Sequence, residues 1–154
     1  MTDSPEARLA ALGLSLPEVP IPVANYIPAV RSGNRLYIAG QVPFQNGKLM
    51  VAGKVGDTVT EEDGIYAARL CALNVLAQAK AVLGDLARIT RVLKLNVFVA
   101  APPSFTRHPF VANGASDLMV AAFGEAGRHA RSAVGCTALP LDAAVEVDAV
   151  FEVA

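Results

Sequence analysis

A chain of 154 residues is long enough for one domain with a real core. Its apolar fraction of 53% and mean hydropathy of +0.42 are high for that size. The longest apolar run, Ile65 to Leu83, is broken by Arg69, Asn74, Gln78 and Lys80, which excludes a spanning helix and leaves large apolar surfaces buried between subunits as the better account. A net charge of −1 removes the general attraction on which most nucleic-acid binders depend.

The start, MTDSPEARLA, carries acids and lacks the basic-then-apolar order of a signal peptide. Cys71 and Cys136 have no C-x-x-C spacing, and His108 and His129 are the only histidines, so no metal-ligand pattern is present. The expectation is a cytoplasmic protein with small buried thiols and no histidine-rich metal site.

In chain order, Ser4 and Pro5 predict a short capped helix over EARLAALG, stopped at Gly13. Four prolines between Pro17 and Pro28 predict an extended path. Ser32-Gly33-Asn34 predicts a turn, LYIAGQVPF a strand, and Asn46-Gly47 a hairpin. Thr60 followed by Glu61, Glu62 and Asp63 opens a helix whose apolar positions Ile65, Ala68, Ala72, Val75, Ala79 and Leu83 lead to Gly84.

VLKLNVFVA predicts a strand with Val92, Lys94 and Asn96 on one face and Leu93, Leu95 and Val97 on the other. A second helix is expected from about Pro109 to Phe123, with Phe110, Ala115, Leu118, Met119 and Ala122 inward. Two further strands, near 131–138 and 145–153, flank the Leu139-Pro140-Leu141-Asp142 turn. This order predicts an α+β class, a mixed sheet with two helices on one face, and a subunit of the same kind as the natural cover for the other face.

The last strand, VEVDAVFEVA, turns Val145, Val147, Ala149 and Phe151 one way and Glu146, Asp148 and Glu152 the other. An acidic solvated face would explain this alone. At a subunit contact, however, a carboxyl group loses solvent, and its pKa rises toward the range useful for proton transfer. Arg131 starts the preceding strand, and the short turn suggests an antiparallel hairpin with Arg131 and Glu146 toward one end. The pair could be an arginine fork for a carboxylate ligand beside a proton-transfer group, or simply a salt bridge.

AGQVP (39–43), LNVFVA (95–100), ARSAV (130–134) and LP…VEVDAV (139–150) resemble the YjgF/YER057c/UK114 family, also called the reactive-intermediate deaminase or RidA family. The resemblance runs from about Tyr26 to the C-terminus, so residues 1–25 form an N-terminal extension to a domain at 26–154, as in a divergent longer branch. It implies a chorismate-mutase-like fold and a homotrimer with sites in the clefts between subunits. By position, it assigns Arg131 to the substrate carboxylate and Glu146 to the water proton. It likewise implies that Tyr26, Gly40, Asn113 and Ala133 line the cleft.

The implied reaction is hydrolysis of 2-aminoacrylate or its imine tautomer to pyruvate and ammonia, without metal or cofactor. Ala39 departs from a frequent Ser, Ala133 from a frequent Cys, and Gly127-Arg128-His129 from the usual Phe-Pro or similar pair before Ala-Arg-Ser. Two other readings are a trimeric small-carboxylate-binding or regulatory protein and an RNA-cleaving or translation-inhibiting protein. The charge balance and the scarcity of stacking aromatics disfavour the last. His129 reads as a loop or interface residue rather than a general base.

Overall fold

The structure is a computed structural model that describes residues 3–19 and 25–154. The prolines at 20 and 22 of the expected extended path lie outside the described residues. In chain order, the elements are α1 (Pro5–Ala11), β1 (Ala29–Ser32), β2 (Arg35–Gln41), β3 (Phe44–Gln45), β4 (Lys48–Leu49), α2 (Glu61–Leu83), β5 (Ile89–Ala100), α3 (His108–Phe123), β6 (Ala130–Cys136) and β7 (Val145–Val153). Five strands form one mixed sheet in the order β1-β2-β7-β5-β6, and β3 and β4 pair as a separate hairpin through Asn46-Gly47.

The helix signals act as expected. Ser4 Oγ accepts from the Ala7 amide and Thr60 Oγ1 from the Asp63 amide, each at 3.1 Å. Gly84 closes α2 in the left-handed region at φ 81°. Both long helices pack on the same sheet face as Val145, Val147, Ala149, Phe151 and Val153, all of which are buried. The two helices come together at Gly114, where a Cβ would stand 2.1 Å from the Ile65 carbonyl oxygen. Even alanine there would force α3 away from α2. Helix α1 joins the same core through buried Leu9 and rests on α3.

Three expectations need correction. Arg131 and Glu146 do not lie on paired strands: β5 separates β6 from β7, running parallel to β6 and antiparallel to β7. The physical cause is α3, which carries the chain from the end of β5 back to the start of β6 and so makes those two strands parallel. The 137–144 link then steps over the end of β5, where Ala100 N donates to Ala144 O and Ala101 N to Cys136 O.

Second, Val92 points into the core with Leu95 and Val97, because a register shift between Val92 and Lys94 breaks the strict alternation. Third, Phe110 is exposed and lies under the Arg107 guanidinium, 3.9 Å from ring centroid to Cζ; Val111 takes the inward position.

Among the described residues no helix covers the other sheet face. On it, Val30, Tyr37 and Val134 remain 48%, 43% and 46% exposed. Registers align Val30 with Tyr37 and Tyr37 with Val150, so the apolar side chains cross several strands of that face.

Candidate functional site in two halves

The sequence-predicted residues fall into two groups on opposite sides of the sheet. Arg131 pairs in register with Leu95, which faces the helices, whereas Glu146 pairs with Phe98 on the uncovered face. Three residues of register along the strands and two strand spacings across them put their backbones roughly 10 Å apart in each direction. They cannot bond to each other within one copy, so the simple salt bridge is excluded.

Helix α3 builds the first group. Arg131 Nη1 donates to Asn113 Oδ1 at 2.7 Å and to Ser116 Oγ at 3.1 Å, and Nη2 donates to the Pro109 carbonyl at 3.2 Å. Residues 109, 113 and 116 follow i, i+4, i+7 spacing and so share one face of α3. Ala133, two residues along β6, points the same way and packs partly into the core.

A guanidinium has five N–H donors. Three are used here, which leaves the Nε–H and one Nη2–H. No carboxylate pairs with Arg131 among the described residues. A half-buried cation held by neutral acceptors, with two hydrogens free, is a receptor for an anion with two acceptor oxygens.

The second group gathers around Glu146. A Cβ on Gly40 would stand 2.6 Å from Glu146 Oε1 and 2.9 Å from its carboxyl carbon, so the bare backbone of Gly40 is the carboxylate's floor. This contact sits at a register shift of β2 between Ile38 and Gln41. Tyr26 is exposed, two residues ahead of Pro28, whose carbonyl accepts from the Ala39 amide.

Burial first, and the charge of Asp148 second, push the Glu146 pKa above its ordinary value. Asp148 is also raised by burial, but Asn96 donates to it at 2.8 Å and opposes the shift. Glu146 has no hydrogen-bond partner among the described residues. Of the three partly buried acids on β7, Asp148 accepts from Asn96 and Glu152 from Thr90, which leaves Glu146 as the one free to exchange a proton.

Ser116 is the member of the Arg131 group that the sequence did not single out. The polar pair Asn113 and Ser116 at i, i+3 on a mostly apolar helix is the signal that could have found it. Cys71 is buried with its thiol pKa pushed up, and partly buried Cys136 shifts the same way. Neither is an activated thiolate.

A sequence model of the family described as "YjgF/chorismate mutase-like, putative endoribonuclease" matches residues 6–153. The chain belongs to the YjgF family. It is 51% identical over 147 residues to Protein TCP17 of Trypanosoma cruzi, covering 95% of this chain and 92% of that protein. A 2-iminobutanoate/2-iminopropanoate deaminase of Dermatophagoides farinae is 28% identical over 139 residues, covering 89% and 92%.

Among solved structures, a protein of unknown function from Agrobacterium tumefaciens superposes with a TM-score of 0.93 at 50% identity, covering 97% of this chain and 92% of that one. The α+β fold with helices on one sheet face is thus a YjgF-family fold. Among the described residues, no helix is long and apolar enough to cross a membrane.

Proposed function

We propose that this YjgF-family protein hydrolyses small carboxylate-bearing enamines and imines of the 2-aminoacrylate type to 2-keto acids and ammonia. The site is a cleft between copies of a cytoplasmic homotrimer. The observation that carries the reading is Arg131: half-buried, without an acidic partner among the described residues, and with an Nε–H and an Nη2–H left over for a carboxylate. The deaminase name of the Dermatophagoides relative supports the reaction class.

The same geometry supports placing the cleft between copies. Arg131 and Glu146 face opposite sides of one sheet, so a cleft that uses both draws them from different copies. The uncovered face with Val30, Tyr37 and Val134 supplies the apolar contact area. Closing that face would strip further solvent from Glu146 and raise its pKa more.

In this mechanism, Arg131 clamps the substrate carboxylate and sets the C=N carbon in the cleft. The Glu146 carboxylate takes a proton from water as its oxygen bonds to that carbon, giving a carbinolamine. The protonated Glu146 then returns the proton to nitrogen. The hydroxyl proton of the carbinolamine then passes through Glu146 to nitrogen as the C–N bond breaks, so ammonia leaves and the carbon retains the oxygen as the keto group. One water is consumed and no electrons are exchanged. Asn113 fixes the clamp, Gly40 seats the carboxylate, and Tyr26 and Ala133 line the cleft.

The test is ammonia release from freshly generated 2-aminoacrylate and from bulkier imino acids, comparing wild type with Glu146→Gln. Ammonia release by wild type and its loss in the variant are the expected results. Tight pyruvate binding with no turnover on any imine would replace the enzyme with a small-carboxylate-binding protein.

A further inference from the structure

Arg131 is held by more than Asn113. The Ser116 oxygen that accepts from Arg131 Nη1 also lies 2.9 Å from His129 Nε2. The other ring nitrogen, Nδ1, lies 2.6 Å from the Gly127 carbonyl oxygen. A carbonyl oxygen only accepts, so Nδ1 carries a hydrogen.

Burial is the main cause that lowers the imidazole's pKa; the Gly127 carbonyl opposes it and the Arg131 charge adds to it. The ring is therefore neutral, and Nε2 is a bare acceptor. Ser116 must give its hydrogen to His129 and turn its lone pairs toward Arg131.

The bonds run in one direction, from Arg131 through Ser116 and His129 to the Gly127 carbonyl. That end is fixed, because Gly127 is buried so tightly that a Cβ would stand 2.2 Å from the Met119 carbonyl oxygen. His129 thus does on this chain a task that neither a solvent-facing loop residue nor a general base would do.

We propose that His129 is a positioning residue for the carboxylate clamp. Through Ser116 it fixes which Arg131 hydrogens are used internally, and so presents the Nε–H and the remaining Nη2–H to the substrate's carboxylate. The inference rests on the reading of Arg131 as the clamp. It assigns His129 to binding rather than chemistry, since both ring nitrogens are engaged, Nδ1 by the Gly127 carbonyl and Nε2 by Ser116.

Pyruvate binding, measured by calorimetry on the full chain, tests it with His129→Leu, His129→Gln, Ser116→Ala and Arg131→Ala. His129→Leu removes the acceptor, while His129→Gln keeps a carbonyl oxygen that can take the Ser116 hydrogen. His129→Leu and Ser116→Ala are expected to weaken pyruvate by about tenfold, and His129→Gln by less than about threefold. The loss should appear in KM for the imine, with kcat within about twofold of wild type.

Wild-type affinity in His129→Leu, with Arg131→Ala unable to bind, would overturn the positioning role and leave the clamp standing. Equal losses in His129→Gln and His129→Leu would overturn it as well, because the accepting atom would then be irrelevant. Undiminished binding in Arg131→Ala removes the clamp itself, and with it anything for His129 to position. Should His129→Leu fail to fold, Ser116→Ala carries the same comparison.

Discussion

The Arg131 and Glu146 regions show two ways of preparing a charged group for a ligand. Arg131 is over-determined: three acceptors on α3 hold it, and one of them is backed by His129 and a fixed backbone carbonyl. Glu146 is under-determined, resting on a glycine with no hydrogen bond among the described residues and with its pKa raised mainly by burial. The difference fits the two proposed roles. A clamp must keep its geometry, whereas a proton carrier must favour neither of its protonation states too strongly.

The largest expected effect comes from removing either group. Arg131→Ala should lower kcat/KM for imine hydrolysis at least about 100-fold and abolish pyruvate binding. Glu146→Gln should lower kcat by a similar factor, roughly 100-fold or more, yet keep pyruvate binding near wild type. Steady-state kinetics beside calorimetry separates the two; parallel losses in both assays would erase the contrast.

Mixing the two inactive variants gives a sharper result. If the cleft takes Arg131 from one copy and Glu146 from another, random co-assembly restores about a quarter of the clefts to the intact pair. Co-refolded Arg131→Ala and Glu146→Gln should regain ammonia release that neither shows alone. A mixture confirmed as hetero-oligomeric but still inactive would place both groups in one copy's site and contradict the opposite-face geometry.

Gly40→Ala should act more mildly. Its Cβ would meet the flexible end of Glu146, so the carboxylate moves and the fold stays. About a tenfold loss in kcat is expected with an unchanged thermal midpoint.

Acidity provides the smallest effect. With its pKa raised, Glu146 loses its ionised, proton-accepting form as the pH falls while an ordinary glutamate would still be charged. The acid limb of kcat should therefore lie above the ordinary carboxylate range. For stability the sign is opposite. A raised folded pKa favours the protonated group, so its contribution is present at low pH and is lost as pH rises through that pKa. Near neutral pH, Glu146→Gln should then raise the thermal midpoint by roughly 1–2 °C, kept small by the partial solvent exposure of the carboxyl group.

Much of this comparison was visible along the chain. The period-2 pattern of Val145–Val153 placed Glu146 and Asp148 on the face away from the core, and the caps at Ser4 and Thr60 marked their helices, because these signals act over a few residues. What set Glu146 apart from Asp148 was not visible, since it depends on Asn96 and Gly40, each distant in sequence. Ser116 and His129 escaped for the same reason: their bonds span an helix-to-strand contact that no local spacing encodes.

By itself the sequence determined the α+β element order and the family, because periodicity, caps and motif spacing are local properties of the chain. Only the tertiary structure decided that β5 stands between β6 and β7. That one crossover turned an apparent arginine–glutamate hairpin into two half-sites on opposite faces. Strand neighbours are chosen by how α3 returns across the sheet and which strands the core must bury, which is a property of the whole packed domain.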